Sequence, residues 1–229
     1  MAILVFTGGK FPSPKTVKHF FDTTIDYVIA VDSGLNPAEL YSKKFHFQID
    51  EIIGDMDSLK NPKKRLKKYP KESISFFSKD KDFSDTELGI FCAIKKRKNN
   101  EPIYLIGGDG GRIDHLFAIK ILFQTENAPN LWLCKNQIVI SLGCNEKIIL
   151  SNITEDNYIS IFPSHNNKEK IVSEGLFWPL ETVDWNVNYS LSNKPSASEV
   201  LIHVEEGRFI IVAPIQSHLK LYQDYQCLN

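Results

Sequence analysis

Short apolar runs recur through residues 1–140, and each stops at a glycine or an acid just before a helix can start. Residues 2–6 lead into Thr7-Gly8-Gly9, residues 27–31 into Asp32-Ser33-Gly34, and residues 48–53 into Gly54-Asp55-Met56-Asp57. Residues 73–77 lead into a polar stretch ending at Ser84-Asp85, and residues 103–106 into a glycine-rich loop, 107–111, then Arg112-Ile113-Asp114-His115 and an apolar helical stretch to about Gln124. Residues 131–134 close the series. Runs this apolar suit strands buried on both faces, with the stretches between them as crossovers. Helix starts are signalled by a hydroxyl and proline at Ser13-Pro14, by Asn36-Pro37, by the basic turn at 62–68, and by the S-x-x-E capping box Ser84-Asp85-Thr86-Glu87. The pattern predicts an α/β domain over 1–140 with a mostly parallel, Rossmann-like sheet covered on both faces.

Past residue 140 the texture changes. Residues 137–142, 147–150, 158–163, 171–172, 187–191, 200–204 and 208–214 are short β-branched or aromatic runs separated by Asn, Ser, Gly and Pro. No helical periodicity of useful length interrupts them, so 141–229 is expected to form an all-β sandwich or barrel.

Composition excludes several classes. A net charge of −1 over 229 residues leaves no bulk field to steer nucleic acid or an acidic membrane, so charged ligands must be met by local clusters. The basic run at 63–68 has no interleaved aromatics and reads as a solvated helix face rather than a nucleic-acid patch. The cysteines, Cys92, Cys134, Cys144 and Cys227, stand far apart without metal-site spacing, which fits reduced thiols. The opening apolar run lacks a basic leader, and no run approaches the roughly 18 residues of a membrane span. A cytoplasmic protein without membrane association is expected.

The chemistry concentrates in the loops that follow strands. In an extended chain side chains repeat every second residue, so Asp55 and Asp57 face the same way just past a buried strand. Two carboxylates so close repel unless a cation or a shared proton lies between them, and a divalent metal is the natural partner. A D-x-D pair is also ordinary turn chemistry. Asp32, Asp82, Asp85, Arg112 and Asp114 follow other strands, so a parallel sheet would gather all of them on its carboxyl edge. The loop at 107–111 could cradle phosphates with its N–H groups, although it is neither a Walker A sequence nor G-x-G-x-x-G. Arg112 could neutralise phosphate charge, and Asp114 could orient it, ligate metal or merely cap the helix.

Four segments, Ala30-Val31-Asp32-Ser33-Gly34-Leu35-Asn36, Gly54-Asp55-Met56-Asp57-Ser58, Lys81-Asp82-Phe83-Ser84-Asp85 and Gly110-Gly111-Arg112-Ile113-Asp114-His115, together resemble the thiamine pyrophosphokinase (thiamine diphosphokinase) family in order and spacing. Fainter echoes follow at 175–180 and 190–193. The resemblance implies Mg²⁺-dependent transfer of a diphosphoryl group from ATP to thiamine, and a homodimer with active sites shared between subunits. It implies that Asp55, Asp57 and Asp85 hold metal and act in catalysis with Arg112. On the nucleotide side it implies Asp32, Ser33, Gly34, Gly110, Gly111, Arg112 and Asp114. It implies a thiamine pocket of Lys81, Asp82, Trp178, Ser192 and Asn193, with the last three from the partner subunit. The sequence departs from the family pattern at Ser33, at Ser84 and in the Lys194-Pro195 pair after Asn193. Two other readings use the same residues: a diphosphokinase for another hydroxymethyl heterocycle such as a pterin, and a non-catalytic nucleotide or thiamine sensor.

Overall fold

The computed structural model describes residues 1–22, 24–77, 83–164 and 169–223. Its chain divides into two compact units, 1–135 and 136–229.

The first unit is built on six strands, β1 (Ala2–Phe6), β2 (Ile25–Val31), β3 (Glu51–Gly54), β4 (Ile74–Phe76), β5 (Ile103–Ile106) and β6 (Leu131–Leu133). They lie in the order β6-β5-β1-β2-β3-β4, and every pairing among them is parallel. β1 sits in the interior with all five residues buried, which is why Ala-Ile-Leu-Val-Phe carries no polar group. From β1 the chain winds outward through β2, β3 and β4, then returns to place β5 on the other side of β1. The winding therefore reverses at β1, and it is at the carboxyl ends of the strands beside such a reversal that these sheets bind ligands.

Among the described residues four α-helices complete this unit: α1 (Leu35–Phe45), α2 (Pro62–Leu66), α3 (Asp85–Lys96) and α4 (Ile113–Leu122). α1 runs longer than the Asn36-Pro37 signal alone suggests, and His46 ends it in the left-handed region (φ 59°) with its N–H donated to the Ser42 carbonyl. α3 starts at the capping box: Ser84 Oγ accepts the Glu87 N–H at 3.3 Å, and Glu87 Oε2 accepts the Ser84 N–H at 2.8 Å. The helix expected after Ser13-Pro14 is not formed. That segment is a turn followed by a single 3₁₀ turn at Lys18–Phe20, with Val17 and Phe20, three residues apart, turned into the core. α4 buries Ile119 and Leu122 but leaves Ile113, Phe117 and Ile121 exposed, one apolar stripe at four-residue spacing.

The second unit is antiparallel throughout. β7 (Gln137–Gly143), β9 (Ile159–Pro163), β11 (Ser190–Asn193) and β13 (Arg208–Pro214) form one sheet in the order β11-β9-β13-β7. β8 (Glu146–Ser151), β10 (Lys170–Glu174), β12 (Val200–Glu206) and β14 (His218–Gln223) form the other, in the order β10-β12-β8-β14. Strands hand over between sheets at Asn145 and Gly207, both at positive φ. Burial alternates along β12, where Val200, Ile202 and Val204 point inward. The α/β unit with a mostly parallel sheet and the all-β unit that follows it are the expected fold class. The run read as a strand over 187–191 pairs only from Ser190, because Asp184 caps the preceding turn through the Asn186 N–H.

Candidate active site

The carboxyl edge of the parallel sheet carries a cleft of about 530 Å³ lined by the loops after five strands. It is built outward from Asp32. This residue leaves β2 with φ 47°, a left-handed conformation that aspartate tolerates better than most side chains. Its Oδ1 accepts the Met56 N–H at 2.8 Å. Gly54 makes this approach possible: at φ 137°, a Cβ there would stand 2.1 Å from Asp32 Oδ1.

Met56 is itself left-handed (φ 63°) and 3% exposed, so the D-x-D segment is pinned by an apolar side chain between its two acids. Asp55 Oδ1 accepts the Asp57 N–H at 3.0 Å. One carboxylate oxygen each from Asp32, Asp55 and Asp57 lie within 4.8 Å of one another. Asp85, the first residue of α3, joins the group through a hydrogen bond with Asp32. Burial pushes the Asp32 carboxyl up to about 7; the Met56 N–H opposes that rise, and the charges of Asp85 and Asp55 reinforce it.

A set of converging carboxylate oxygens, partly desolvated and mutually repelling, fits a hard, oxygen-preferring divalent cation such as Mg²⁺. Asp32, Asp55, Asp57 and Asp85 are the residues that could hold it. Thus Asp32, assigned from sequence to the nucleotide side, belongs geometrically with Asp55 and Asp57.

Across the cleft, the loops after β1 and β5 are zipped together. Gly108 donates to the Gly8 carbonyl at 2.6 Å, and Lys10 and Asp109 exchange both backbone bonds. Gly110 and Gly111 line the cleft in left-handed conformations, φ 69° and 83°. Arg112, also lining, is 75% exposed along its side chain and held by Asp114 through Nε–Oδ1 at 3.1 Å and Nη2–Oδ2 at 2.5 Å. The pair holds the Asp114 carboxyl below the usual range, chiefly through the hydrogen bonds from Arg112. Asp114 thus aims the guanidinium. Ser33 lines the cleft, its N–H donated to Ser58 Oγ at 3.3 Å. Gly34 is buried behind it, where a Cβ would meet the Phe6 carbonyl oxygen at 2.2 Å. Its requirement is packing against β1.

Several lining residues went unread in the sequence. Thr7 and Thr86 share a hydroxyl–hydroxyl bond of 2.8 Å that ties the end of β1 to the start of α3. Phe83, 46% exposed and edge-on to Phe91 at 5.3 Å, forms an apolar wall. Thr86 lay inside the capping box and Phe83 inside the acidic segment, where the neighbouring carboxylates drew the reading. Lys81 and Asp82 lie outside the described residues.

In the second unit, Trp178 and Asn193 are joined. The buried Asn193 amide accepts the Trp178 N–H at 3.2 Å and donates to the Trp178 carbonyl at 2.7 Å, with a further bond to Ser190 Oγ at 3.2 Å. Asn193 is fully buried and spends its amide on holding this loop, leaving the indole 51% exposed and edge-on to Phe177 at 4.8 Å. Ser192 is exposed and left-handed (φ 56°), its N–H donated to Ser160 Oγ. The Lys194-Pro195 departure supports the same loop: Pro195 bridges Leu176, and the Lys194 carbonyl accepts the Phe177 N–H at 2.8 Å.

An acid-lined cleft at the carboxyl edge of a parallel sheet, facing a glycine loop and an arginine, is the plan of a group-transfer enzyme that handles phosphates. Residues 19–133 match the family described as "Thiamin pyrophosphokinase, catalytic domain". The chain belongs to this family of transferases. It is 23% identical over 178 residues to the thiamine pyrophosphokinase of Bacillus subtilis (strain 168), covering 77% of this chain and 75% of that one. Its fold resembles the crystal structure of thiamine pyrophosphokinase from Bacillus subtilis, with a TM-score of 0.70 and 19% identity over 93% of this chain and 99% of that one. It also resembles the thiamin pyrophosphokinase of Candida albicans, with a TM-score of 0.65 and 14% identity over 93% and 88% of the two chains. No helix among the described residues is long and apolar enough to cross a membrane.

Proposed function

We propose that this protein is a Mg²⁺-dependent thiamine diphosphokinase that transfers the diphosphoryl group of ATP to the hydroxyl of thiamine, releasing thiamine diphosphate and AMP. The observation that carries the reading is the meeting of Asp32, Asp55 and Asp57 oxygens within 4.8 Å in a cleft that also presents Arg112 and a glycine loop. Phosphoryl-type transfer is mostly positioning and charge neutralisation, so this inventory suits it. Mg²⁺ bound to the carboxylates would neutralise charge on the polyphosphate. Arg112, aimed by Asp114, pairs with phosphate oxygens, and the N–H groups at 110–111 face the same ligand. The thiamine hydroxyl attacks the β-phosphorus of ATP, the bond to the α,β-bridging oxygen breaks, and AMP leaves with that oxygen. Asp55 or Asp57 accepts the hydroxyl proton. Thiamine is a permanent cation, and the exposed Trp178 indole offers it an aromatic face.

The active form is a homodimer whose subunits share each site. Two exposed apolar features support this: the Ile113, Phe117, Ile121 stripe of α4, which begins one residue after Arg112, and Trp178, Tyr189 and Leu191 on or beside the edge strand β11. A cytoplasmic location is supported by the free thiols of Cys92, Cys134 and Cys144.

The test is release of AMP from ATP and Mg²⁺, with thiamine or a pterin alcohol as acceptor. Thiamine-dependent AMP is expected. AMP with the pterin alone would move the substrate class, and tight binding without AMP from either acceptor would make the protein a sensor.

A further inference from the structure

Lys10 follows the Gly8-Gly9 pair that lines the cleft, and its backbone is locked to Asp109 by two hydrogen bonds, Lys10 N–H to Asp109 O at 2.6 Å and Asp109 N–H to Lys10 O at 3.3 Å. Its side chain is exposed, but its course is defined. The methylenes lie across Gly110: the place a Gly110 Cβ would take is 3.4 Å from Lys10 Cγ, 2.9 Å from Cδ and 3.1 Å from Cε. The ammonium is one bond beyond Cε, so it is held within about 5 Å of that position, beside Gly110, which itself lines the cleft. Among the described residues no carboxylate ion-pairs with it. Arg112, by contrast, is already paired with the Asp114 carboxylate. The opposite wall carries the acids, so an incoming polyphosphate needs positive charge on the side where Lys10 stands.

From this placement we propose that Lys10 is a positioning and specificity residue for the nucleotide, its ammonium pairing with the polyphosphate over the glycine loop. The proposal rests on the diphosphokinase reading for its substrate. It also explains a feature that reading leaves aside: Gly110 provides the bare Cα over which the lysine stem runs.

The test uses the full chain with Lys10→Met, which keeps the stem, Lys10→Ala, which removes it, and Lys10→Arg, which restores charge. Two quantities are measured: steady-state constants for MgATP and thiamine, and the calorimetric Kd for magnesium tripolyphosphate. K10M is expected to raise the MgATP KM and the tripolyphosphate Kd about tenfold, with thiamine KM and melting temperature unchanged. K10R recovers most of the loss, and high salt narrows the gap between K10M and wild type. Equal affinity in K10M and wild type overturns the proposal. So does a loss confined to K10A, because it would locate the effect in the stem. If wild type makes no AMP with thiamine, the diphosphokinase reading fails by itself, and the tripolyphosphate Kd still decides for or against Lys10; absence of tripolyphosphate binding by wild type counts against it.

Discussion

The two units treat their polar groups in opposite ways. In the first, carboxylates are driven together: Asp32, Asp55 and Asp57 converge, Asp85 leans on Asp32, and the backbone at Asp32, Gly54 and Met56 takes left-handed or otherwise rare conformations to keep them there. In the second, the conspicuous polar residue is spent on architecture, since Asn193 is fully buried and engaged with the Trp178 backbone, Ser190 and the Lys194 N–H. The first arrangement costs folding energy that a bound cation can return; the second contributes stability and leaves an aromatic surface free. Order in one unit is therefore set against electrostatic repulsion, and in the other it is gained from satisfied hydrogen bonds.

The contrast can be broken most sharply at Asp57. Asp57→Asn should lower kcat about a thousandfold while the melting temperature stays level or rises, because the residue works against a compact fold. Thiamine-dependent AMP release and a thermal scan on the same sample check this, and retained turnover would remove Asp57 from the metal set. Asn193→Ala should do the reverse and destabilise the protein by about 2–3 kcal/mol, since it opens a cavity at a fully buried position and removes the partner of the Trp178 N–H and C=O and of the Lys194 N–H. Chemical denaturation followed by tryptophan fluorescence reads it out.

Trp178→Ala removes the aromatic face without touching the clamp. Thiamine KM should rise about tenfold with MgATP KM and stability unchanged. The smallest effect concerns pH. The Asp32 carboxyl, pushed up to about 7 by burial and its acidic neighbours, lies above its unfolded value. Its contribution to stability is therefore complete below about pH 4, and it is lost as pH rises through about 7. Asp32→Asn keeps an acceptor for the Met56 N–H and tolerates φ 47°. Without metal it should be more stable than wild type above pH 7 by about 1 kcal/mol, a modest figure because the carboxylate is partly solvated. The advantage should vanish by pH 4, and melting curves across that range decide it.

What the sequence disclosed follows from how local each signal is. β1 was legible because a central parallel strand admits only apolar residues. The start of α3 was legible because a capping box is written in four consecutive positions. β14 was not, since His218, Lys220 and Gln223 dilute its pattern and its pairing partner β8 lies about 70 residues upstream. The acids announced themselves by following strands. Which acid neighbours which did not, since the meeting of Asp32 with Asp55 and Asp57 depends on Gly54 leaving room across two strands. Gly34, Thr7 and Thr86 were opaque for the same reason, their partners being distant in the chain.

One small vacancy governs the depth of the cleft. Gly89, one turn inside α3, lies where a methyl would stand 2.5 Å from Val31 and 3.1 Å from Val5, so the helix beds directly on the sheet. A helix seated that low acts as a depth gauge for its own first turn: how far Asp85 and Thr86 reach toward the strand ends is decided by a side chain that is missing four residues later. Enlarging that position would retune the spacing of the acids without altering any of them.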